Sequence, residues 1–357
     1  MKDEKIDKVW YTVNRLYLEE PLRIANEHYS YADTLLIFIK AGKIIGIGEA
    51  APDTEVTGET ISSVKSFIDD FKQYVIGRSY KDIVAINNSL NKIADNNPSA
   101  MAGIDMALYD LLGKATKRNV VSILGGKSNS KQICYTIGIE SDEKAVKDAI
   151  KYTKLGFKFL KVKVGTDPLI DAQRIKKIRE AIGKKVKLLV DANQGYTVDQ
   201  ALDFISLVKD SGILFLEQPL KYSDLNGMAY LNKNSDIPIM ADESAKTLTD
   251  VYKISKLKAA SMINIKLMKM GGITRSLEVY KNAIKNNLSV MIGCMEESRV
   301  GISAGTSLSL SIKDIGFADL DSHLSHSNRL VNRGVSTKNG RNILAKGNGL
   351  GIIVRKK

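Results

Sequence analysis

The chain has 357 residues, enough for two domains or for one barrel with an appended unit. Hydrophobic residues make up 44% and charged residues 26%, which is typical of a folded globular protein and excludes fibrous and disordered classes. No run approaches the roughly 18 apolar residues of a membrane helix, and the charged first residues lead into no signal core. We therefore expect no membrane partner and a cytoplasmic location.

The formal net charge of +13 raises the question of a nucleic-acid partner. The lysines are spread over predicted helix faces without interleaved aromatic residues, so we predict a solvated basic surface and no nucleic-acid binding. The two cysteines, Cys134 and Cys294, are 160 positions apart, a spacing that fits neither a disulfide framework nor a zinc site. We expect both to be reduced core residues.

Two kinds of region follow one another along the chain. Residues 1–127 are predicted as an α+β unit with strands at 8–17, 34–40 and 43–48 and a helix at 99–116. From 128 to 323, short β-branched runs alternate with amphipathic helices, which is the pattern of parallel βα units. The eight predicted strands of this region are 133–139, 159–164, 186–190, 214–216, 237–241, 262–267, 290–294 and 316–320. Residues 324–357 are strand and turn material that we expect to return to the first unit.

Eight βα units favour an α/β fold of the TIM-like barrel type. The alternative, an open doubly wound sheet, usually carries a Gly-rich phosphate turn after its first strand, and the sequence has no such turn there. The Gly-rich segment 347–351 has no following helix and is interpreted as a terminal turn. Gly156, Gly183 and Gly212 stand where the carboxyl ends of helices are expected.

In a barrel, functional groups lie at the carboxyl ends of the strands. Asp191, Glu217 and Asp242 end three neighbouring predicted strands, and Lys163 and Lys266 end the strands on either side. The intervals between these five positions are 28, 26, 25 and 24 residues, each one βα unit long. Three convergent carboxylates repel one another unless a cation lies between them, so they indicate bound Mg²⁺ in preference to helix caps or surface ion pairs.

The two lysines lie on opposite sides of an eight-stranded circle. They can remove a proton from one face of a carbon and return one to the other face. Lys161 shares a strand face with Lys163, and its like charge would make Lys163 easier to deprotonate.

Competing chemistries have few candidate residues. The chain has three histidines, so a Ser-His-Asp or Cys-His site is poorly supplied. His323 and His326 have a spacing that could bind a metal ion, but no third ligand is near in sequence, and we assign the pair to a loop after the eighth strand.

These residues resemble the enolase superfamily, in particular its muconate lactonizing enzyme subgroup, over nearly the whole chain. The resemblance rests on the segments Gly46-Ile-Gly-Glu-Ala50, Ile104-Asp-Met-Ala-Leu-Tyr-Asp-Leu-Leu-Gly-Lys114, Leu160-Lys-Val-Lys-Val-Gly165, Asp191-Ala-Asn-Gln-Gly195, Glu217-Gln-Pro219, Ala241-Asp-Glu-Ser244 and Asn264-Ile-Lys-Leu-Met-Lys-Met-Gly-Gly272. It implies an α+β capping domain on a (β/α)₇β barrel. It also implies specific roles for six residues: Mg²⁺ ligands Asp191, Glu217 and Asp242, acid/base residues Lys163 and Lys266, and Lys161 against the substrate carboxylate.

The subgroup includes cycloisomerases, o-succinylbenzoate synthases, N-acylamino acid racemases and dipeptide epimerases. Asp319-Leu-Asp321 in the eighth strand is similar to the Asp-x-Asp pair with which dipeptide epimerases hold the substrate's α-ammonium group. The alternative is that both aspartates cap the following turn. The resemblance thus implies an isomerase that epimerises dipeptides at the carboxyl-terminal residue, with L-Ala-D/L-Glu as the expected substrate type. Thr136 is a further candidate substrate contact, and we expect a homo-oligomer.

Two departures from the Ala-Glu epimerase pattern concern the substrate side chains. Those enzymes present an Arg from a capping loop to the glutamate side chain, and here Glu27 aligns with it, with Arg23 four residues earlier as a candidate substitute. Glu296 replaces an apolar residue expected near the amino-terminal side chain. If both glutamates face the cavity, a cationic or hydrophobic dipeptide is the alternative substrate. A barrel that only binds a ligand is a further alternative, which the complete set of lysines and carboxylates disfavours.

Overall fold

The computed structural model describes residues 5–25, 27–91, 96–313, 315–327 and 330–355. Its amino-terminal unit is an antiparallel sheet with helices packed against it. The elements are β1 (Lys8–Arg23), β2 (His28–Ala41), β3 (Ile44–Ala50), α1 (Ile61–Val75), α2 (Ile83–Asn91), α3 (Pro98–Thr116) and α4 (Val120–Ile123). β1 and β2 are longer than predicted because their hairpin continues beyond the apolar runs until Arg23 pairs with His28. The tip of this hairpin contacts the barrel, where Ile139 N donates to Arg23 O at 2.8 Å.

The close packing of β3 on α3 explains two glycines of the first family-like segment. A Cβ atom at Gly46 would lie 2.0 Å from the carbonyl oxygen of Ala107, and one at Gly48 would lie 1.8 Å from that of Gly103. Any side chain at either position would push the strand away from the helix. Glycine therefore allows α3, which is buried over most of its length, to pack directly against the sheet.

The middle of the chain forms a parallel barrel in which strands alternate with helices. After β4 (Ser130–Gln132), its strands are β5 (Tyr135–Ile137), β6 (Phe159–Lys163), β7 (Lys187–Asp191), β8 (Ile213–Glu217), β9 (Ile239–Ala241), β10 (Met262–Lys266) and β11 (Ser289–Gly293). Its helices are α5 (Asp142–Lys154), α6 (Pro168–Ile182), α7 (Val198–Val208), α8 (Leu225–Asn234), α9 (Leu248–Leu257), α10 (Leu267–Met270), α11 (Ile273–Lys285) and α12 (Arg299–Ser311). Strands β5 to β11 are hydrogen-bonded in sequence order, as the βα pattern predicted. The predicted (β/α)₇β fold is confirmed.

The eighth strand closes the barrel over a shorter length than the predicted 316–320. Ala318 forms a parallel bridge with Ile133, and Asp319 forms one with Gly293. Backbone hydrogen bonds of 3.0 and 2.8 Å accompany these two bridges. The sheet is thus continuous around the barrel, and Asp319 is held at its rim.

The two ends of the barrel interior differ in polarity. At one end, the ring of Phe317 stacks on Phe159 with centroids 4.1 Å apart and lies parallel to Phe215 at 6.5 Å. At the carboxyl ends of the strands, charged side chains gather instead. The aromatic layer fills the first end, which leaves the opposite rim for polar chemistry.

Glycine ends barrel helices at the predicted positions. Gly156, Gly183 and Gly212 have φ angles of 90°, 68° and 63°, a conformation that strains residues with a Cβ atom.

None of the helices within the described ranges is both long enough and apolar enough to cross a bilayer.

The last described residues lead back to the amino-terminal unit. They form β12 (His326–Ser327), β13 (Val331–Arg333), β14 (Val335–Lys338), β15 (Arg341–Leu344) and β16 (Ile352–Val354). β12 pairs antiparallel with β1, and Leu350 N donates to the Asp110 carboxylate of α3 at 2.7 Å. The domain boundaries at residues 127 and 323 stay a prediction.

Buried carboxylates of the amino-terminal unit bind the barrel helices. Glu49 on β3 accepts hydrogen bonds from Ser298 N at 3.0 Å and Gly301 N at 2.9 Å. Asp105 on α3 accepts one from Ile273 N at 2.6 Å, and burial raises the pKa of Asp105 to about 6. The donors belong to the beginnings of α12 and α11, where the helix dipole stabilises negative charge. Since these helix ends lie at the carboxyl rim of the strands, the contacts fix the amino-terminal unit over that rim.

Candidate active site

Three buried carboxylates meet at the carboxyl ends of consecutive barrel strands. Asp191 ends β7, Glu217 ends β8, and Asp242 directly follows β9. One oxygen from each carboxylate lies within 4.8 Å of the others. Burial makes the repulsion between them costly unless cations compensate it. The donor set consists of hard oxygen atoms, so these residues fit a Mg²⁺ ion.

The Lys161 ammonium group lies within this carboxylate cluster. Its Nζ atom is 2.9 Å from Asp191 Oδ2, 3.0 Å from Glu217 Oε2 and 2.7 Å from Asp319 Oδ2. Burial alone lowers the pKa of Lys161, but the charges of Asp191, Asp319 and Glu217 outweigh burial and raise it well above its ordinary value. The surrounding carboxylates therefore favour the protonated form of Lys161.

Lys163 and Lys266 stand on opposite sides of the carboxylates. Lys163 Nζ at the end of β6 lies 2.8 Å from Asp191 Oδ2 and 2.9 Å from Asn193 Oδ1. Lys266 Nζ at the end of β10 lies 2.7 Å from Asp242 Oδ2. The three strands between β6 and β10 are those that carry the carboxylates. Both lysine side chains line one cavity above them.

The cluster shifts the pKa values of its carboxyl groups in opposite directions. Burial and the charge of Asp191 raise the pKa of Glu217 to about 8. For Asp191 and Asp242, the lysine charges outweigh burial and lower the pKa below its ordinary value. Glu217 is thus the carboxylate that the lysines compensate least.

The two aspartates of the eighth strand have different surroundings. Both oxygens of Asp319 are engaged, one by Lys161 and the other by the Cys134 thiol, which donates at 3.1 Å. Asp321 accepts a 2.6 Å hydrogen bond from Thr136 N and lies on the cavity wall. Burial and the charge of Asp319 raise the pKa of Asp321 to about 6. Both aspartates line the cavity, but only Asp319 forms an ion pair with a lysine among the described residues.

The cavity has a volume of about 1040 Å³ and lies between the barrel rim and the β1–β2 hairpin. The remaining predicted residues on its wall are Thr136, Glu296 and Glu27. Glu296 follows β11 and accepts a hydrogen bond from Ser322 Oγ at 3.2 Å. Arg23 ends β1 and is not on the cavity wall. The structure therefore brings Glu27, and not Arg23, to the site.

Family models match both parts of the chain. The model described as mandelate racemase / muconate lactonizing enzyme, N-terminal domain, covers residues 7–125, and the model described as enolase C-terminal domain-like covers residues 144–357. The chain belongs to the enolase superfamily. The expected family is thereby confirmed over both structural units.

Several enolase-superfamily proteins are similar over nearly their whole length. A hydrophobic dipeptide epimerase of Enterococcus faecalis is 36% identical over 93% of this chain and 94% of its own. An L-Ala-D/L-Glu epimerase of Clostridium acetobutylicum is 34% identical over 94% and 95%. The crystal structure of the Enterococcus faecalis dipeptide epimerase with Mg and L-Leu-L-Tyr superposes with a TM-score of 0.94 and covers 98% of this chain and 99% of that one.

Sequence reasoning missed residues that hold two of the three carboxylates, Glu217 and Asp242, in place. Asn264 Nδ2 donates to Glu217 Oε1 at 2.8 Å, and the buried Lys269 ammonium group contacts the Asp242 carboxylate. Both positions lie in the quoted segment 264–272, but their spacing alone did not show which side chain faces the cluster.

Sequence reasoning also missed the strained backbone in the loops after β7 and β8. Asn193 and Gln218 have φ angles of 39° and 33°, which are strained for residues other than glycine. Gln218 Oε1 accepts hydrogen bonds from Asp242 N at 2.9 Å and Ser244 N at 3.1 Å. The strained turn thus fixes the backbone of the neighbouring carboxylate.

The histidine pair makes protein contacts near the eighth strand of this superfamily barrel. His323 Nε2 lies 2.9 Å from Thr337 Oγ1, and His326 Nε2 lies 2.9 Å from Glu297 O. Both histidines are buried.

Both cysteines are free thiols. Cys134 is in the core as expected, whereas Cys294 is half-buried and lines the cavity.

Proposed function

We propose that this protein is a Mg²⁺-dependent dipeptide epimerase that inverts the α-carbon of the carboxyl-terminal residue. The observation that carries the proposal is the pair of lysines, Lys163 and Lys266, on opposite sides of three carboxylates in one cavity. Two bases that face each other serve removal of a proton from one face of a carbon and delivery to the other. The similar proteins named as dipeptide epimerases support this reaction.

Each direction of the reaction uses the lysines in turn. One lysine, as the neutral amine, takes the α-proton, and the electrons of the C–H bond pass into the substrate carboxylate to give an enediolate. The other lysine, as the ammonium ion, donates a proton to the opposite face of the same carbon. The inverted dipeptide results, and the two lysines have exchanged protonation states.

Asp191, Glu217 and Asp242 would hold the Mg²⁺ ion. When bound, this ion supplies positive charge that stabilises the charge developing on the substrate carboxylate. Lys161 adds a second positive charge at the same place because its three carboxylate contacts keep it protonated. Asp319 positions Lys161 in this role through the 2.7 Å contact.

Asp321 would bind the α-ammonium group of the dipeptide. Its charge faces the cavity, and Thr136 fixes the carboxylate by hydrogen bonds from N at 2.6 Å and from Oγ1 at 3.4 Å. A buried carboxylate is stabilised best by a cationic partner, and N-acylated amino acids or muconate lack one there. This feature favours dipeptides over the substrates of the racemase, synthase and cycloisomerase alternatives.

The names of the similar proteins include both L-Ala-D/L-Glu and hydrophobic dipeptides. The sequence resemblance predicts L-Ala-D/L-Glu, with cationic or hydrophobic dipeptides as the alternative, and Glu27 and Glu296 on the cavity wall favour the cationic alternative. The cytoplasmic location and the homo-oligomer also stay predictions.

Proton NMR in D₂O with MgCl₂ tests the reaction. We expect loss of the α-proton signal of the carboxyl-terminal residue in pooled dipeptides, and no loss in N-succinyl amino acids. A Lys163→Met/Lys266→Met double variant is the control and should show no exchange. Exchange confined to N-succinyl amino acids would contradict the role of Asp321, and no exchange in any pool would contradict epimerisation itself.

A further inference from the structure

The charges of the site fix how a dipeptide lies in the cavity, if the proposed function holds. The substrate carboxylate faces Lys161 and the carboxylate cluster, the α-ammonium group faces Asp321, and the reacting carbon lies between Lys163 and Lys266. In the enediolate this carbon is planar, with its three substituents between the two lysines. Two of them point to the barrel strands, so the third, the side chain, points out of the barrel toward the amino-terminal unit.

The amino-terminal unit contributes both apolar and acidic side chains to the cavity wall. Ile24 and Val56 line it together with Glu27, Asp53 and Glu55. In the described part of the chain, no hydrogen bond or ion pair engages the half-buried Glu27 carboxylate. Burial and the charges of Asp53 and Glu55 raise the pKa of Glu27 to about 7. A cationic group at this place would remove the repulsion between these carboxylates.

A second carboxylate without an ion pair to any described residue lies on the barrel side of the cavity. Glu296 accepts the Ser322 hydroxyl hydrogen bond with Oε2, and no hydrogen bond reaches Oε1 from any described residue. Burial and the charge of Asp321 raise the pKa of Glu296 to about 7. Since Asp321 faces the α-ammonium group, Glu296 lies next to the amino-terminal residue of the dipeptide.

Two further carboxylates of the cavity, Asp33 and Glu59, already have partners. Asp33 pairs with Arg15 at 2.7 Å, and Glu59 accepts hydrogen bonds from Ser99 N and Ala100 N at 2.7 and 3.1 Å. Apart from the three lysines of the reaction centre, Lys221 is the one cationic side chain among the described residues of the wall. The acidic wall is therefore local, in a chain whose net charge is +13.

We propose that the cavity selects dipeptides with lysine or arginine side chains, with Glu27 as the contact of the epimerised residue and Glu296 as that of the amino-terminal residue. The aliphatic part of such a side chain can lie against Ile24 and Val56 while its charge reaches Glu27. Hydrophobic side chains would leave both glutamates without a cationic partner, and a glutamate side chain would be repelled.

Rates of α-proton exchange at subsaturating substrate give kcat/KM for L-Ala-L-Lys, L-Lys-L-Ala, L-Ala-L-Ala, L-Ala-L-Glu and L-Leu-L-Tyr. We expect both lysine dipeptides to exceed L-Ala-L-Ala by about tenfold or more, as a well-placed charge pair predicts. Glu27→Gln should remove only the preference for L-Ala-L-Lys, and Glu296→Gln only that for L-Lys-L-Ala. Glu180→Gln, which makes the same charge change on the exposed face of α6, should alter neither.

The charge reversal Glu27→Lys gives an independent outcome, since it should shift the preference at the epimerised residue from lysine to glutamate. A wild-type enzyme that exchanges L-Ala-L-Glu or L-Leu-L-Tyr at least as fast as the lysine dipeptides overturns the inference and leaves the proposed function standing. Absence of exchange with every dipeptide overturns the proposed function instead.

Discussion

Lys161 Nζ on β6 lies 2.7 Å from Asp319 Oδ2 on the eighth strand, although the two residues are 158 positions apart. This contact distinguishes Asp319 from Asp321, which sequence reasoning treated as an equivalent pair. Asp319 forms an ion pair with Lys161, whereas Asp321 accepts its hydrogen bonds from Thr136, and both carboxylates line the cavity.

The different surroundings predict different kinetic effects of the two aspartates. Asp321→Ala should abolish epimerisation at ordinary dipeptide concentrations, because the α-ammonium group loses its charged partner. Asp319→Asn should mainly lower kcat, because it frees Lys161. Steady-state kinetics separates the effects, and circular dichroism should show both variants folded. Unchanged activity of Asp321→Ala would remove the argument from the eighth strand.

The two-base arrangement predicts a stereochemical signature. Lys163→Ala and Lys266→Ala should each lower the rate of inversion by about 10²- to 10⁴-fold, the usual contribution of a general acid or base. In D₂O, one variant should still exchange the α-proton of a single enantiomer without inverting it, since the remaining lysine reaches one face. Proton NMR of the separate L,L and L,D dipeptides detects this. Equal residual exchange of both enantiomers would contradict the assignment.

Metal binding should stabilise the fold. A divalent cation that binds only the native carboxylate cluster raises the free energy of unfolding by about 2.7 kcal/mol at a concentration a hundredfold above its Kd. We expect Tm to rise with MgCl₂ and to fall with EDTA, and activity to vanish in EDTA. Glu217→Gln removes one oxygen ligand with little change of shape and should reduce the Tm shift. An equal Tm with MgCl₂ and EDTA would argue against the site.

Glu49 should stabilise the contact between the two units. Glu49→Ala leaves the buried Ser298 N and Gly301 N groups without this acceptor, which should cost about 1–3 kcal/mol of unfolding free energy. Urea denaturation measures the loss. Glu180→Ala on the exposed face of α6 is the control and should change stability little. A Glu49→Ala variant as stable as the wild type would show that the contact is energetically unimportant.

Because His323 is buried in its neutral form, we expect the protein to lose stability in mild acid. Burial and the nearby Arg299 charge lower the pKa of His323 to about 3, whereas the unfolded chain binds this proton below the ordinary value of 6.5. The shifted pKa therefore does not lower the free energy of unfolding above pH 6.5. As the pH falls from 6.5 toward 3, the free energy of unfolding decreases, because the unfolded state then holds more protons.

Urea titrations at several pH values between these limits test this effect. His323→Gln should show a smaller fall in unfolding free energy than the wild type. His28→Gln, which changes an exposed histidine on β2, should show the same fall as the wild type. If the free energy of unfolding of His323→Gln falls as much as that of the wild type, other groups cause the acid sensitivity.

The sequence alone predicted the barrel and the part of its rim where the carboxylates and lysines meet. Parallel βα units place all carboxyl strand ends at one rim, so the spacing of Asp191, Glu217 and Asp242 predicts their convergence without any coordinates. The same regularity places Lys163 and Lys266 on either side of them. Gly46 and Gly48 were recognisable as part of a family-like segment, although the close approach to α3 that requires them was not.

Only the tertiary structure decided which charges pair. Asp319 and Asp321 alternate along one strand, and their difference arises from Lys161 on β6, which is far away in sequence but separated from the eighth strand only by β5 around the barrel. Likewise, Arg23 pairs with His28 at the end of the hairpin, whereas Glu27 lies in the turn between them, and only Glu27 lines the cavity. The residue type determines the charge of a side chain. Which opposite charge lies beside it depends on distances that long-range packing sets.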